Sequence, residues 1–405
     1  MSTARWAQVF VVAAVVAVGG STPASALPTG SVGCGSELTV DTTLRSDVVG
    51  CVGDGLVIGA DGITLDLNGH TVSGDTVEDP TEVGIRVAGH HDVHVTNGVV
   101  QGFWRGVVFD SSPRGHITAM TARRMTRRGI VVVNGSDGAQ IVGNLSADNQ
   151  ASGIAIVTSD GANVVGNRSL RNIGGAGVRL EGATHATVSH NLLNANSFGM
   201  QLEDAVGNRL VDNTISGGEM GFEIDASNVN LVDHNRVTGT STGFGVGGDD
   251  NTITDNQVLH GIGPDGIGIQ IGGGNRNLVA HNTVIDQIRY GIEVDNFDEV
   301  GRPTTDTVVR GNTVNGANEG IAIGPEAGGV VLDTLIEDNR VSSGVDDGIQ
   351  VLGPSTGLAT STITGNVAVH NGDLGIATVA GTIDGGGNHA AGNGNPLQCI
   401  NVACH

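Results

Sequence analysis

The sequence contains no lysine and few aromatic residues. Its 19 Lys and Arg residues are all arginines, and Phe, Trp and Tyr make up 2% of the 405 residues. The absence of lysine excludes any catalytic mechanism that needs a lysine base. So long a chain with so few large rings cannot build a conventional aromatic-rich core, which indicates that small and aliphatic residues pack in a regular, stacked geometry.

Basic charge is scarce as well. The 42 Asp and Glu residues outnumber the basic ones and give a net charge of −23. Such a charge repels phosphate backbones and anionic lipids, so nucleic acid is not an expected partner, and it favours a solvated monomer. The dense basic run Arg123, Arg124, Arg127 and Arg128 favours a solvated turn over a binding stripe.

A long hydrophobic run occurs only at the N-terminus. Residues 1–26 predict a secretory signal peptide, with Arg5 as its positive charge, an apolar stretch over 11–19 and small residues at 24–26. No second long apolar run follows, so we expect a secreted, extracellular protein without membrane insertion.

The four cysteines form two pairs that are close in sequence, Cys34 with Cys51 and Cys399 with Cys404. In an oxidising compartment they predict two disulfides; the alternative, a metal site, lacks a His or Cys cluster with zinc-ligand spacing. We therefore expect stapled caps at 27–74, which includes a first turn, and at 393–405, with repeats over 75–392.

Glycine, at 67 residues, marks a repeat in which Gly is followed by an aliphatic residue, a variable residue and another aliphatic. Successive units are 22 to 29 residues apart, a period that indicates a solenoid. The thirteen units begin at Gly84, Gly106, Gly129, Gly153, Gly177, Gly199, Gly221, Gly243, Gly266, Gly291, Gly320, Gly348 and Gly375.

Asparagine follows a second aliphatic run in most units, from Asn144 to Asn366. Each unit holds three short runs of Val, Ile, Leu and Thr without helical periodicity, so we predict an all-β parallel β-helix of about 13 turns. A leucine-rich repeat would need a denser Leu pattern. The asparagines should occupy tight bends with left-handed φ and form a ladder of side-chain amides.

The stretch Gly-Ile-Thr-Leu-Asp-Leu-Asn-Gly-His at 62–70, followed by Gly-Ile-x-Val and Asn-x-Val units, carries a family resemblance. It resembles the right-handed parallel β-helix proteins of the pectate-lyase superfamily, including the NosD-like carbohydrate-binding and sugar-hydrolase module. The resemblance covers roughly 34–392 and implies a single right-handed domain. Because this fold carries lyases, hydrolases, epimerases and adhesins, it also implies polysaccharide as the partner.

In each Gly-Ile-x-Val unit the x side chain should point outward. Glu203, Glu223 and Asp225, with Glu181, should then form one acidic patch, which could bind Ca²⁺ or raise a carboxyl pKa; a solvated acidic face is the alternative. Calcium is the one cofactor that the sequence suggests.

Glu293 and Asp295 form a second acidic pair, about 14 Å further along the axis. They precede the longest insertion, 296–307, and loops on a rigid scaffold commonly carry functional sites. We interpret this pair as catalytic acid and base. The predicted substrate-binding residues are Tyr290, Phe297, Arg302 and Gln270.

Known chemistries of the fold restrict the mechanism. Two segments are similar to those of polygalacturonase-like hydrolases, Asp265-Gly266-Ile267 and Asp346-Asp347-Gly348-Ile349, but they lie three turns apart. The Gly-His-Gly motif of these hydrolases is absent, and their Arg-Ile-Lys motif is impossible without lysine. The polygalacturonase mechanism is therefore excluded. A copper role would require converging His, Met or Cys ligands, and the histidines do not cluster.

The sequence therefore predicts a secreted β-helix protein that binds or processes an extracellular polysaccharide on its Gly-Ile-x-Val face, by lyase, hydrolase or epimerase chemistry. The alternative is a non-catalytic cell-surface or adhesion scaffold. The shortage of exposed aromatic residues favours the alternative, because sugar rings stack on such side chains.

Overall fold

A computed structural model describes residues 32–264, 266–296, 303–324, 330–353 and 360–405. The predicted signal peptide and the residues Asp265, Phe297 and Arg302 lie outside these ranges. Within them, short β-branched and aliphatic runs bounded by Gly, Asn or Asp form strands, and no helix occurs. Accordingly, no helix of the described residues is long and apolar enough to cross a membrane.

The Gly-Ile-x-Val units build one parallel sheet, called here the first sheet, which has 16 strands. Its strands are Ser36–Leu38, Leu56–Ile58, Val83–Ala88, Arg105–Asp110, Arg128–Val133, Ile154–Val157, Ala176–Glu181, Phe198–Glu203, Met220–Asp225, Thr242–Val246, Ile267–Gly272, Tyr290–Asp295, Glu319–Ile323, Ile349–Val351, Ile376–Ala377 and Cys399–Ile400.

The sequence prediction of about 13 turns is slightly too low. Sixteen strands leave fifteen intervals, so the solenoid has about 15 turns. One missed turn begins at Gly55, because Leu56–Ile58 is in register with residues 85–87. The outermost strands, Ser36–Leu38 and Cys399–Ile400, lack the Gly-aliphatic pattern and cap the stack.

Two further parallel stacks complete each turn. One consists of Thr42–Thr43, Thr64–Asp66, His94–Gln101, His116–Arg123, Gln140–Val142, Asn163–Val165, Thr187–Ser189, Arg209–Val211, Leu231–Asp233, Thr252–Thr254, Leu278–Ala280, Val308–Arg310, Leu335–Glu337, Thr362–Thr364 and Ile383–Gly386. The other begins with Val48–Cys51 and Thr71–Gly74, shares His94–Gln101 and His116–Arg123, and continues with Leu145–Ala147, Arg168–Leu170, Leu192–Asn194, Thr214–Ser216, Arg236–Thr238, Gln257–Leu259, Thr283–Ile285, Thr313–Asn315, Arg340–Ser342, Val367–Val369 and His389–Ala391. A small separate pairing joins Thr304–Thr305 to Val331–Leu332.

Stacked aliphatic side chains fill the core, which extends along the whole solenoid. The aromatic residues join the same stacks: Met200, Phe222 and Phe244 are in register and fully buried, and the two rings stack with centroids 4.7 Å apart. Because inward positions repeat at the spacing of strands, about 4.8 Å, aliphatic residues suffice almost everywhere.

The anchor glycines are required by close approach of successive turns. A Cβ atom on Gly221 would lie 2.4 Å from the carbonyl oxygen of Gly243, which no side chain can tolerate. One predicted anchor is wrong by two residues. Ile269, not Ile267, is in register with Phe244, so Gly268 replaces Gly266 and the x position of this turn is Gln270.

The asparagine ladder is confirmed. Successive asparagines are buried, and the side-chain amide of Asn213 donates to Oδ1 of Asn235 at 3.0 Å. The side-chain amide of Asn235 in turn donates to Oδ1 of Asn256 at 3.1 Å. The predicted left-handed φ belongs instead to the preceding residue, for example 55° at Asp212 and 54° at His234. The bend thus turns the asparagine inward.

Both predicted disulfides are confirmed near the two ends of the solenoid. Cys34 pairs with Cys51 across a Cα distance of 5.3 Å, and Cys399 pairs with Cys404 across 6.2 Å. The first joins the segment before Ser36–Leu38 to Val48–Cys51, the last strand of the same turn, and the second closes a short loop at the last strand.

Candidate functional site

The outward surface of the first sheet, called here the outer face, carries one x residue per turn in a single column. Its members are in register from strand to strand, about 4.8 Å apart. From the turn that begins at Gly55 onward they are, in order, Val57, Arg86, Val108, Val131, Ala155, Arg179, Gln201, Glu223, Gly245, Gln270, Glu293, Ala322, Gln350 and Ala377.

The predicted acidic patch exists. Glu181, Glu203 and Asp225 are in register on three successive strands. An arginine that the sequence analysis left out of the patch lies among them: Arg179 donates to Glu181 at 3.1 Å and also to Glu203. Arg179 therefore compensates the charges of Glu181 and Glu203, and this part of the patch is an ion-pair network instead of a bare acidic surface.

Glu223 stands apart from the other carboxyl groups of this patch. Its side chain is half-buried and accepts a hydrogen bond from the Gln201 amide at 2.5 Å. Burial raises the pKa of Glu223, the Gln201 hydrogen bond opposes this rise, and the charge of Asp225 adds to it. A carboxyl group with a raised pKa retains its proton closer to neutral pH and is suited to general acid catalysis.

The surroundings of Glu223 are partly apolar. Phe198 and Met220, in register on adjacent strands, are both partly exposed beside the x column. The next x residue, Gly245, has no side chain, and the terminal methyl group of Met220 lies 2.6 Å from where its Cβ would be. Polar hydrogen-bonding groups therefore border an apolar surface over three turns.

The second acidic pair, Glu293 and Asp295, is withdrawn from solvent. Their exposed fractions are 2% and 0%, although both occupy outward positions of the strand. The Gln270 amide donates to Glu293 at 2.8 Å, and the backbone N–H of Asn296 donates to Asp295 at 2.7 Å. The catalytic roles of this pair stay predictions.

The aromatic and aliphatic neighbours of this pair explain part of its burial. Ile267, Tyr290 and Ala322 pack together on the outer face, which leaves Tyr290 only 8% exposed. The Arg289 guanidinium lies 4.7 Å from the Tyr290 ring centroid. Phe297 and Arg302, the other predicted substrate-binding residues, lie outside the described residues.

Two clusters of metal-ligand type were missed by the sequence analysis. In the described part of the chain, ligand atoms of Asp233, His234 and Asp255 lie within 4.8 Å of one another, and so do those of a second group, Asp346, Asp347 and Asp373. Each group joins two adjacent residues to a third that lies 21 to 27 positions further along the sequence, so only the register of successive turns would have revealed it. The predicted calcium ligands Glu203, Glu223 and Asp225 do not form such a group in the structure, and their calcium role stays a prediction.

The N-terminal part of the outer face is basic and apolar. Arg105 and Arg128 are in register on adjacent strands, beside the packed side chains of Val83, Val108 and Val131. Arg128, which the sequence analysis placed in a solvated turn, is only 21% exposed at its side chain. That expectation is wrong for Arg128, because its strand carries it onto the sheet.

Comparison with known families now places the chain. The family model described as periplasmic copper-binding protein (NosD) matches residues 39–197 and 124–262, which together exceed half of the chain. A second, described as right-handed beta helix region, matches residues 206–368. No curated protein matches the sequence.

Several solved structures share the fold at 14% identity, which shows the fold alone. The catalytic unit of a thermostable GH87 α-1,3-glucanase from Streptomyces thermodiastaticus strain HF3-3 has a TM-score of 0.50, over 83% of this chain and 63% of that chain. DFA-IIIase from Arthrobacter chlorophenolicus A6 in complex with GF2 has a TM-score of 0.47, over 69% and 70%. The receptor-binding tailspike of bacteriophage Det7 has 0.44, over 78% and 70%.

The described residues do not fit a dedicated copper centre of the kind that this family description suggests. Soft copper ligands are Cys and Met. All four cysteines are in disulfides, and three of the five methionines are buried in the core. The His-containing group of three, around His234, offers one imidazole and two carboxylates. We assign no step to copper.

Proposed function

Because the chain belongs to the NosD family of right-handed β-helix proteins, we propose that it binds an extracellular polysaccharide along the outer face and processes it by general acid–base chemistry. The observation that carries this proposal is the in-register column Arg179, Gln201 and Glu223, bordered by the partly exposed Phe198 and Met220. Hydrogen-bonding groups repeated once per turn suit a linear ligand with repeated hydroxyl groups. The shared fold with an α-1,3-glucanase catalytic unit supports the same substrate class.

Two carboxyl pairs could perform the chemistry. Glu223 with Asp225, and Glu293 with Asp295, are each two residues apart on one strand, so each pair is separated by about 6.6 Å along the backbone. Side chains that leave the same face of a strand at this spacing can bring their carboxyl groups to the roughly 5–9.5 Å separation used by glycosidases. We assign proton donation to Glu223 and the base role to Asp225, because this pair is open to solvent. Glu293 and Asp295, proposed from the sequence, form the alternative pair.

Turnover assays with paired variants test the proposal. Reducing ends and unsaturated uronates would be measured over a polysaccharide panel, with and without Ca²⁺. Glu223→Gln with Asp225→Asn should abolish turnover, whereas Glu337→Gln, a matched change on another sheet, should not. Loss only in the Glu293→Gln and Asp295→Asn variants would move the site to the alternative pair. Turnover that survives both double variants, or no turnover at all, would refute the enzymatic proposal.

A non-catalytic adhesion scaffold is the second candidate function. The observation in its favour is the shortage of accessible rings: of the described aromatic side chains on the outer face, Trp104 and Phe198 are partly exposed and Tyr290 is buried. Glycan binding without turnover, measured on a glycan array with the same panel, would support this candidate over the enzyme.

The proposed location is outside the cytoplasm. Two disulfides and the periplasmic family description support an oxidising compartment. Secretion through the signal peptide at 1–26, a monomeric state and Ca²⁺ binding by the acidic patch belong to the same proposal.

A further inference from the structure

Four residues on the N-terminal turns form a group, called here the arginine cluster: Trp104, Arg105, Arg127 and Arg128. Arg105 and Arg128 are in register on adjacent strands, about 4.8 Å apart at the backbone. The Arg127 guanidinium lies 5.6 Å from the Trp104 ring centroid. Positive charge is thus concentrated on one surface of a chain whose net charge is −23.

The arginines of this cluster have few acidic partners. Among the described residues, their one ion pair joins Arg128 to Glu181 at 3.6 Å, and the buried Nε of Arg128 has no hydrogen-bond partner. Burial, together with repulsion from Arg127 and Arg86, lowers the pKa of Arg105. Burial likewise lowers the pKa of Arg128, which Glu181 only partly offsets.

Several exposed arginines elsewhere on the molecule have close acidic partners. Three of them form two-pronged ion pairs with an aspartate of a neighbouring turn, at 2.6–2.9 Å: Arg114 with Asp92, Arg171 with Asp148 and Arg276 with Asp250. In a chain with 42 acidic residues, the three neighbouring arginines of the cluster thus share a single ion pair within the described residues. Clustered, partly desolvated guanidinium groups are stabilised when an external anion binds.

The neighbouring surface suits a sugar ring. Val83, Val108 and Val131 form an apolar strip beside Arg105. A pocket of about 170 Å³ lies at the preceding corner, where Gly102 and Arg124 line it together with Ser73, Gly74, Thr76 and Gln101. An aromatic ring, guanidinium donors, an apolar strip and a small pocket therefore lie on neighbouring turns of the solenoid.

We propose that the arginine cluster is a subsite for an anionic sugar unit, whose carboxylate or sulfate is held by Arg105 and Arg128 while its ring packs against Trp104. This deepens the polysaccharide proposal and rests on it. It predicts that the substrate is a charged glycan and that one of its anionic units is bound at least four strands away from Glu223 on the first sheet.

Binding to defined polymers tests the subsite. Affinity electrophoresis at constant ionic strength would use polygalacturonate for carboxylate, dextran sulfate for sulfate, neutral dextran, and poly-L-glutamate as a polyanion without sugar rings. Wild-type protein should bind at least one charged glycan more tightly than dextran or polyglutamate. Arg105→Gln with Arg128→Gln should weaken that binding about tenfold or more. The charge-matched control, Arg171→Gln with Arg276→Gln, should bind like wild type.

Thermal unfolding separates binding from folding. Because like-charge repulsion is removed, the Arg105→Gln/Arg128→Gln protein should have an unchanged or higher midpoint, and the charged glycan should raise only the wild-type midpoint. Arg128→Lys keeps the positive charge but loses the planar guanidinium, which can donate two hydrogen bonds to one carboxylate or sulfate, so this variant should also bind the charged glycan more weakly.

The outcomes separate this inference from the proposed function. Equal weakening by the control pair, or equal affinity for polyglutamate, would show unspecific charge attraction and overturn the subsite. Binding of neutral dextran alone would overturn the subsite and leave the polysaccharide proposal standing. Failure to bind any glycan would overturn both.

Discussion

A ladder asparagine makes several hydrogen bonds that no substitute can replace. The Asn235 amide donates to the carbonyl oxygens of Leu210 at 2.8 Å and Asp233 at 3.0 Å and to Oδ1 of Asn256. Its own Oδ1 accepts from the backbone and side chain of Asn213. Each internal member thus satisfies buried polar groups on the turns before and after it.

Asn235→Ala should therefore destabilise the protein by about 3 kcal/mol, because it leaves buried donors and acceptors of two neighbouring turns unsatisfied. Urea unfolding would measure the change. The control is Asn194→Ala at an exposed strand position, which should change the free energy of unfolding by less than about 0.5 kcal/mol. Similar losses in both variants would mean that the ladder adds nothing beyond ordinary surface contacts.

The raised pKa of Glu223 makes the stability of the protein depend on pH. Burial raises its folded-state pKa above the ordinary value of 4.5, so the ionised form disfavours folding at neutral pH, and this penalty is relieved as pH falls through the raised pKa. Glu223→Gln should therefore raise the thermal midpoint at pH 7, and the gain should disappear at acidic pH.

The same titration sets the expected activity profile. If Glu223 donates the proton, turnover should fall as pH rises through its raised pKa, and Glu223→Gln should remove turnover altogether. If Glu223→Gln raised the thermal midpoint equally at every pH, the raised pKa of Glu223 would be contradicted. If turnover did not fall at high pH, the role of Glu223 as proton donor would be contradicted. Glu337→Gln, on another sheet, provides the comparison.

At the scale of strands, closeness of the turns explains the anchor glycines. Gly221→Ala should destabilise the protein by about 1–3 kcal/mol, because its new Cβ would meet the Gly243 carbonyl oxygen at 2.4 Å and Val237 at 2.6 Å. Gly33→Ala is the matched control, since no atom lies within 4 Å of where its Cβ would be. Equal urea midpoints for the two variants would show that successive turns can move apart without a measurable loss of stability.

Periodicity made most strand positions predictable, and it failed where the pattern was ambiguous. Residues 266–271 read Gly-Ile-Gly-Ile-Gln-Ile, so two overlapping units fit the same segment. Only the pairing of Ile269 with Phe244 and Ile292 decides between them. The left-handed φ at the bend shows the same limit. The sequence pattern located the bend, but the positive φ belongs to the residue before the asparagine and not to the asparagine itself.

Side-chain depth was not predictable from periodicity. The x column correctly placed Glu223 and Glu293 on the same face, yet the first is half-buried and the second almost completely buried. Burial depends on packing between neighbouring strands, such as Tyr290 against Ile267 and Ala322. The arginine cluster was missed for a different reason: Arg105 and Arg128 are 23 positions apart in the sequence, and only the register of their strands brings them together.

For the whole molecule, two electrostatic effects oppose each other. The net charge of −23 destabilises the folded state at neutral pH, while short ion pairs between neighbouring turns stabilise it. At physiological salt, charges further apart than about 8 Å are largely screened, whereas the turn-to-turn pairs, such as Arg276 with Asp250 at 2.6 Å, are not. The pairs should therefore dominate the pH dependence of stability.

Acidification should consequently destabilise the solenoid. Hydrogen bonds from arginine hold the pKa of Asp92, Asp148 and Asp250 below the ordinary value of 3.8, so their contribution is complete above that value and is lost as pH falls through the lowered pKa. The thermal midpoint in physiological salt should stay level from pH 7 to about pH 5 and then decline below about pH 4. Arg171→Gln removes the partner of Asp148 and should make this decline shallower, whereas Arg340→Gln, whose side chain forms no ion pair within the described residues, should leave it unchanged. A midpoint that rises on acidification would show instead that relief of the net negative charge outweighs the ion pairs between turns.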